Sequence, residues 1–393
     1  MWRDSLPSNK TMNGLMIEPS IVLYEFDGPQ IFLAKFGFVD VLFVKIDDDD
    51  DFDRYLATYT SNGIIEAVLN GNLSVRGAFS HDLCWIIDTN TDLSIREFWA
   101  CSRDDIPSSF LPDRNVALRV GFPPIPNSLS QAFAFFGMGF QGEQIDHRDM
   151  RFSVLKKIID ESYDAARRIL SPVFLAGSRS STFDFSVAQP EFGSLILSIK
   201  EPKLNYDRIK KKSRQASDGD KSTRLDIAGE FSTQRNAFFD AMDEIVEEAE
   251  KGELTGSLAA ERFSILDQIQ NVIPTGEGVI EDAEFSSYSQ GRTESLLVHE
   301  QVGARLHRAF KIAEQHPIVE VGRVEIMNAR QNSFVMLSTR GKLVTCYVNA
   351  DNFAELKQDD RFRTGARVAV QGMLSRRQLR DKLAVNGTPS ILS

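Results

Sequence analysis

The sequence predicts an α+β protein in three parts: a β-rich N-terminal domain (residues 1–125), a mixed α+β middle domain (126–316) and a small C-terminal β-barrel (317–393). Three observations predict it. Short apolar runs separated by turn residues fill the first hundred and the last eighty positions, the pattern of half-buried strands. Helical 3.6-residue spacing dominates only between them. Pro107, Pro112, Pro123, Pro124 and Pro126 cluster near residue 125, and the sign of the charge changes near residue 317.

The opening strands are Ile21 to Tyr24, Gln30 to Phe36 and Val39 to Ile46, broken at Asp27-Gly28-Pro29 and at Gly37. The acidic run Asp47 to Asp51 lacks the glycine and closing glutamate of a helix-flanked calcium loop, so a solvated turn is predicted. Thr60 to Leu69 carries helical spacing and stops at Asn70-Gly71. Leu83 to Asp88 and Leu93 to Ala100 read as a further hairpin.

In the middle part, Gly137-Met138-Gly139-Phe140-Gln141-Gly142 has the spacing of a dinucleotide fingerprint. No helix opens inside those glycines, as pyrophosphate binding requires, so a Phe-rich loop or strand edge is predicted. Residues 153–170 form an amphipathic helix ended by Ser171-Pro172. Thr182 to Val187 and Ser194 to Ile199 alternate as a hairpin. Residues 200–228 form a flexible insert, basic over Lys200 to Arg224 with nine Lys+Arg against four Asp+Glu and centred on Lys210, Lys211 and Lys212. Helices over Phe231–Lys251 and Ser257–Val272, strands over Gly278–Phe285 and Glu294–Val298, and a helix over Gln301–Ala313 complete the domain.

The last part specifies both an architecture and a surface. Val319, Val321, Val324 and Ile326 mark one strand, with Gly322 at an expected bulge or bend. Ser333 to Thr339 and Lys342 to Val348 flank Arg340-Gly341, read as a two-residue hairpin turn with Thr339 facing Lys342. That register sets Val335 and Leu337 on the core face opposite Cys346 and Val344, and Phe334 beside Tyr347 on the other. A helical turn (Asn349 to Lys357), a fourth strand (Ala366 to Leu374) and a fifth near Leu383 to Val385 follow. This order of three strands, a helical connection and two strands resembles an oligonucleotide/oligosaccharide-binding (OB) fold. The resemblance implies ligand contact on strands two and three and the adjacent loops, with a stacking pair of Phe334 and Tyr347 and a basic hairpin. The expected nucleic-acid contacts are Phe334, Tyr347, Arg340, Lys342, Arg376, Arg377, Arg380 and Lys382, joined by Lys210, Lys211 and Lys212 of the insert. An SH3-like barrel fits the same pattern.

Charge bears on partners. The chain carries −11 in all, but Pro317 to Ser393 holds twelve Lys+Arg against seven Asp+Glu, so the remainder stands at −16. A nucleic-acid site must therefore be local. Cys84, Cys101 and Cys346 are odd in number and far apart, which points away from a disulfide framework or a cysteine zinc site and toward reduced thiols in a cytosol. No signal-type segment is predicted, and the longest apolar run, Phe133 to Phe140, falls well short of the roughly 20 residues that span a bilayer. A cytoplasmic protein is expected.

No catalytic signature emerges. The five histidines, His81, His147, His299, His307 and His316, lack the spacing of a helical metal pair. There is no nucleophile elbow and no phosphate-binding glycine loop. Neither a metal nor a cofactor is predicted. Tyr24-Glu25-Phe26-Asp27-Gly28-Pro29 and Leu73-Ser74-Val75-Arg76-Gly77-Ala78 are similar to an uncharacterised bacterial domain family found in mobile-element and phage-defence neighbourhoods, which implies a setting but no chemistry. The expected function is a non-catalytic binding subunit that recognises single-stranded or structured nucleic acid in a bacterial anti-phage defence system. A protein-interaction scaffold or inhibitor is the alternative, and a metal-dependent nuclease built from scattered carboxylates the third.

Overall fold

The structure is a computed structural model, described here for all residues except 1, 4, 5, 50, 120, 122, 146–149, 189–194, 210–225, 277, 378, 379 and 393. Lys210, Lys211, Lys212 and His147 lie outside the described residues. The fold is α+β, with a β-rich N-terminal sheet and a closed five-stranded barrel at the C-terminus. Two compact units are present, one formed by Met1–Phe135 with Ser286–Ser295, the other by Phe136–Phe285 with Leu296–Ser393.

The first unit is built on an antiparallel meander, β1 (Pro19–Glu25), β2 (Pro29–Phe36), β3 (Val39–Asp49), β4 (Phe52–Tyr59), β5 (Leu83–Thr89) and β6 (Ile95–Ser102), in sheet order β1 to β6. Period-two alternation explains its two cores. Leu33, Leu42, Val44, Leu56 and Ile86 pack on one face with Ile64, Ile65 and Val68 of helix α1 (Asn62–Leu69). Phe32, Val41, Phe43, Tyr55, Ala57 and Ile87 occupy the other. The α1 N-terminus is capped by Ser61, whose side chain accepts from Ile64 N. Arg54 and Asp88 face each other across β4 and β5 and form a buried two-pronged ion pair, Nε to Oδ1 at 2.7 Å and Nη2 to Oδ2 at 2.9 Å.

A four-stranded sheet runs β12-β11-β7-β9, where β7 is Phe136–Gln141, β9 Leu195–Ile199, β11 Asp282–Ser289 and β12 Arg292–His299, with the Ser286–Ser295 part of β11 and β12 belonging to the first unit and the rest to the second; β8 (Phe183–Asp184) pairs separately with β10 (Lys203–Leu204). Here the structure corrects three expectations. The glycine-spaced segment 137–142 is an interior strand of the sheet, neither loop nor edge, because its residues from Phe136 to Phe140 are buried. Of the expected hairpin over 182–199, the described residues keep one bridge, Val187 to Ile199, while β9 pairs along its length with β7. Phe183 instead packs on Phe231, ring centroids 5.2 Å apart.

The helices are α2 (Phe152–Leu170), α3 (Ile227–Lys251), α4 (Gly256–Glu261), α5 (Phe263–Ile269) and α6 (Glu300–Ala313). The single helix expected over 257–272 is the third correction. It breaks at Arg262, and beyond the break Phe263 stacks on Phe310 with centroids 4.9 Å apart.

The barrel comprises β13 (Pro317–Asn328), β14 (Ser333–Ser338), β15 (Leu343–Tyr347), helix α7 (Ala350–Gln358), β16 (Arg367–Ser375) and β17 (Asp381–Val385), with β18 (Ser390–Leu392) added beside β16. Strands follow β13-β14-β15-β17-β16, and β13 pairs with β16 to close the ring; β15 and β17 run parallel and the other barrel pairs antiparallel. Ile318, Val324, Phe334, Met336, Val344, Cys346, Val368, Val370 and Leu383 are buried, and Phe362 meets Phe334 edge-on at 5.3 Å. At Gly372 the backbones close up so tightly that a Cβ would lie 2.2 Å from Ala384 O.

The hairpin register is the fourth correction. Phe334 pairs with Cys346, Met336 with Val344 and Leu337 with Leu343; Tyr347 stands opposite Ser333. The loop has three residues, Thr339, Arg340 and Gly341, closed by Gly341 N to Ser338 O at 2.9 Å and Ser338 N to Lys342 O at 2.9 Å. Gly341 takes the left-handed φ of +77° that such a loop demands. One extra loop residue reverses the faces of β14. Phe334 therefore points into the barrel, while Val335 and Leu337 point out; β15 keeps the expected orientation, with Tyr347 outside.

Candidate nucleic-acid interface

Arg340 explains the longer loop. Its side chain is 1% exposed and faces three carboxylates from three elements: Nε donates to Glu320 on β13, Nη2 to Asp381 on β17 at 3.1 Å, and Nη1 lies 3.6 Å from Asp267 on α5. The Ser338 hydroxyl donates to the other oxygen of Glu320 and accepts from Arg340 N at 3.1 Å. Burial pushes the Glu320 carboxyl above its ordinary range, against the pull of Arg340 and of the Ser338 hydroxyl. A guanidinium buried this way fixes the hairpin, and its burial among carboxylates keeps it from a phosphate in solvent.

The remaining sequence-predicted residues divide between structure and surface. Phe334 is fully buried and cannot stack a base. Arg376 is bound to Asp267 and to Glu314, the latter at 2.9 Å, and lies over the rings of Phe263 and Phe310 at 5.6 and 4.9 Å. Arg377 and Arg380 are exposed on the β16–β17 connection, where Arg377 N donates to Asp381 Oδ1 at 3.0 Å. Tyr347 is 40% exposed, and Lys382 Nζ sits 5.8 Å from its ring centroid. Lys342 is exposed and makes no ion pair among the described residues.

These last three share one stretch of surface. Leu343, Thr345 and Tyr347 are the outward residues of β15, Lys382 pairs in register with Thr345, and Lys342 immediately precedes the strand. At roughly 3.3 Å per residue, Lys342 and Tyr347 stand about 17 Å apart. The Lys342 end opens on a pocket of about 320 Å³ lined by Asp164, Arg167, Arg168, Gly177, Ser178 and the hairpin loop.

Arg167 and Arg168 were not among the sequence-predicted contacts. The signal available was a pair of arginines in the last turn of a helix, which ordinarily reads as a complement to the helix dipole. Arg167 fits that reading, donating to Phe183 O at 2.9 Å and Ser178 O at 2.6 Å and lying 4.1 Å over the Phe183 ring. Arg168 donates only through Nε, to Asp164 O at 3.2 Å, and has no carboxylate partner among the described residues. The pocket thus offers two uncommitted cations, Arg168 and Lys342, beside one acid, Asp164.

The chain matches no protein-family model, no curated protein and no solved structure. Among the described residues no group of three or more His, Cys, Asp or Glu is placed to hold a metal ion, and no helix is long and apolar enough to cross a membrane.

Proposed function

We propose that the barrel is a non-catalytic nucleic-acid-binding module of a cytoplasmic protein and that it holds a single strand along the outer face of β15. One observation carries this reading: a half-exposed aromatic ring with a lysine over it, at one end of a strand whose other end opens on two free cations. In the proposed complex a base stacks on Tyr347, Lys382 covers the adjoining backbone, and Lys342 and Arg168 hold a phosphate in the pocket. A stacked base is worth about 1–3 kcal/mol, and basic groups tracking the backbone make binding salt-dependent. What supports it is a closed five-stranded barrel with a helix between its third and fourth strands, since ligand contact on the second and third strands is what an OB-like barrel would imply. A role in phage defence belongs to the same proposal and rests on the N-terminal resemblance alone.

A second reading is a protein-docking scaffold. It is favoured by exposed apolar residues on the same barrel, Ile326 at 54%, Met327 at 37% and Leu343 at 36%.

Fluorescence anisotropy with labelled single strands, between 50 and 200 mM salt, separates the two. The nucleic-acid reading expects affinity that falls steeply with salt, drops about tenfold or more for Tyr347→Ala, and loses part of its salt slope for Lys342→Glu with Arg168→Glu. Absence of binding at low salt overturns it in favour of the scaffold.

A further inference from the structure

We propose that the N-terminal sheet binds one small monocyclic aromatic molecule of the phenol class, in a pocket on the face opposite α1. The pocket has a volume of about 140 Å³ and is lined by Phe36, Val41, Phe43, Tyr59, Trp85 and Phe98, among others, with no charged side chain in its wall.

The sequence of the strands makes the hollow. Across β3, β4 and β5, Phe43, Ala57 and Trp85 stand in register, so Phe43 and Trp85, which both line the pocket, are carried on either side of a single methyl group. Tyr59 pairs with Val41 one step along, and its ring meets Trp85 edge-on at 4.7 Å. Register shifts interrupt the ladder in β1, in β3 between Lys45 and Asp47, and in β5 between Asp88 and Thr89, positions at which a strand ordinarily bends and its twist increases.

Size and chemistry define the occupant. An apolar cavity of about 150 Å³ takes up benzene, so this volume fits one ring and little more. Aromatic walls favour edge-to-face contact with such a ring. The Tyr59 hydroxyl and the Trp85 indole N–H make no protein hydrogen bond among the described residues, which suits a ring bearing one oxygen or nitrogen. Access lies at a rim where Met12 and Val39 are 41% and 40% exposed.

The test is a titration of the full chain with p-cresol, followed by calorimetry and by Trp85 fluorescence. Trp2 and Trp99 belong to the core on the opposite face, so Trp85 is the local reporter. Saturable one-to-one binding is expected, with affinity reduced at least tenfold by Val41→Phe, which enlarges a buried lining residue and fills the hollow from within. Val39→Trp blocks the rim from an exposed position and keeps the test decisive if the first variant does not fold. Absence of saturable binding up to the solubility limit of p-cresol overturns the proposal, as does unchanged affinity in folded Val39→Trp and Val41→Phe proteins. Phe38, fully exposed on the neighbouring β2–β3 turn, supplies the last control. A chain that self-associates, becomes monomeric on Phe38→Ala and binds p-cresol only then would show that a second copy's phenyl is the occupant, which also overturns it.

Discussion

Arg340 and Glu320 form an ion pair in which both side chains are 1% exposed or less, the guanidinium Nε donating to the carboxylate across the mouth of the barrel. Neither charge reaches water, and Asp381 and Asp267 close around the same guanidinium. Desolvation of such groups is tolerable only while every partner is present. The three-residue loop, the reversed face of β14 and the inward position of Phe334 all depend on this anchorage.

Arg340→Met is expected to destabilise the protein by about 3–5 kcal/mol, because it strands buried carboxylates without a counter-charge. The double change Arg340→Met with Glu320→Met should recover much of that loss, since it removes a charge of each sign from the same site. Urea denaturation of the two single variants and the double variant gives the coupling directly. A double variant as unstable as the sum of the singles would show that the pair does not interact as described.

The same network marks how far the sequence could be read. The order of strands and helices in the barrel was legible, and so was the orientation of β15, whose inward Val344 and Cys346 contrast with Thr345 and Tyr347. For β14 both alternating sets are apolar, Phe334 with Met336 and Val335 with Leu337, so alternation is silent on which face is buried. The decision came from carboxylates on β13, β17 and α5 that pull Arg340 inward, and from Gly177, whose position against Leu337 shelters the outward face. Such partners are remote in sequence and leave no local mark. The stacking partner expected for Tyr347 was lost for this reason, and Arg168 entered the site only because the fold brings the end of α2 to the hairpin.

Gly372→Ala is expected to cost about 1–3 kcal/mol, the range of overpacking, or more because the obstacle is backbone. A Cβ there would sit 2.2 Å from Ala384 O, and β16 cannot retreat without opening its ladder with β17. Gly341→Ala is the contrasting case. Its Cβ would meet only the Arg168 side chain at 3.7 Å, so the cost comes from the left-handed backbone, roughly 1–3 kcal/mol. Thermal unfolding of both variants, with circular dichroism of the barrel, distinguishes steric collision from backbone strain: the first alters the native spectrum, the second lowers the midpoint alone.

The three cysteines are expected to be inert in the native protein. Burial pushes the Cys101 thiol up to about 12, helped by Cys84 and Asp105, and raises Cys84 and Cys346 as well. The thiolate is the reactive form, so at pH 8 an aromatic disulfide reagent should titrate fewer than one thiol per chain until denaturant is added, and three afterwards. Rapid labelling of the native chain would show that these sites open far more readily than their packing implies.

His307 supplies the pH dependence. It lies on α6 with Nδ1 2.6 Å from Gln270 Oε1, and burial, reinforced by Lys311, depresses its pKa below the ordinary 6.5. In the unfolded chain the imidazole takes its proton near pH 6.5; in the folded chain it resists until a lower pH. Between those values the unfolded state binds more protons, so stability is full above pH 6.5 and declines as the pH falls through the depressed value. Replacing His307 by Gln, which can still donate toward Gln270 but does not titrate, should flatten that part of the stability curve. Denaturation midpoints at half-unit steps from pH 7.5 to 5 measure the slope in both proteins, and equal slopes would assign the acid sensitivity to other groups.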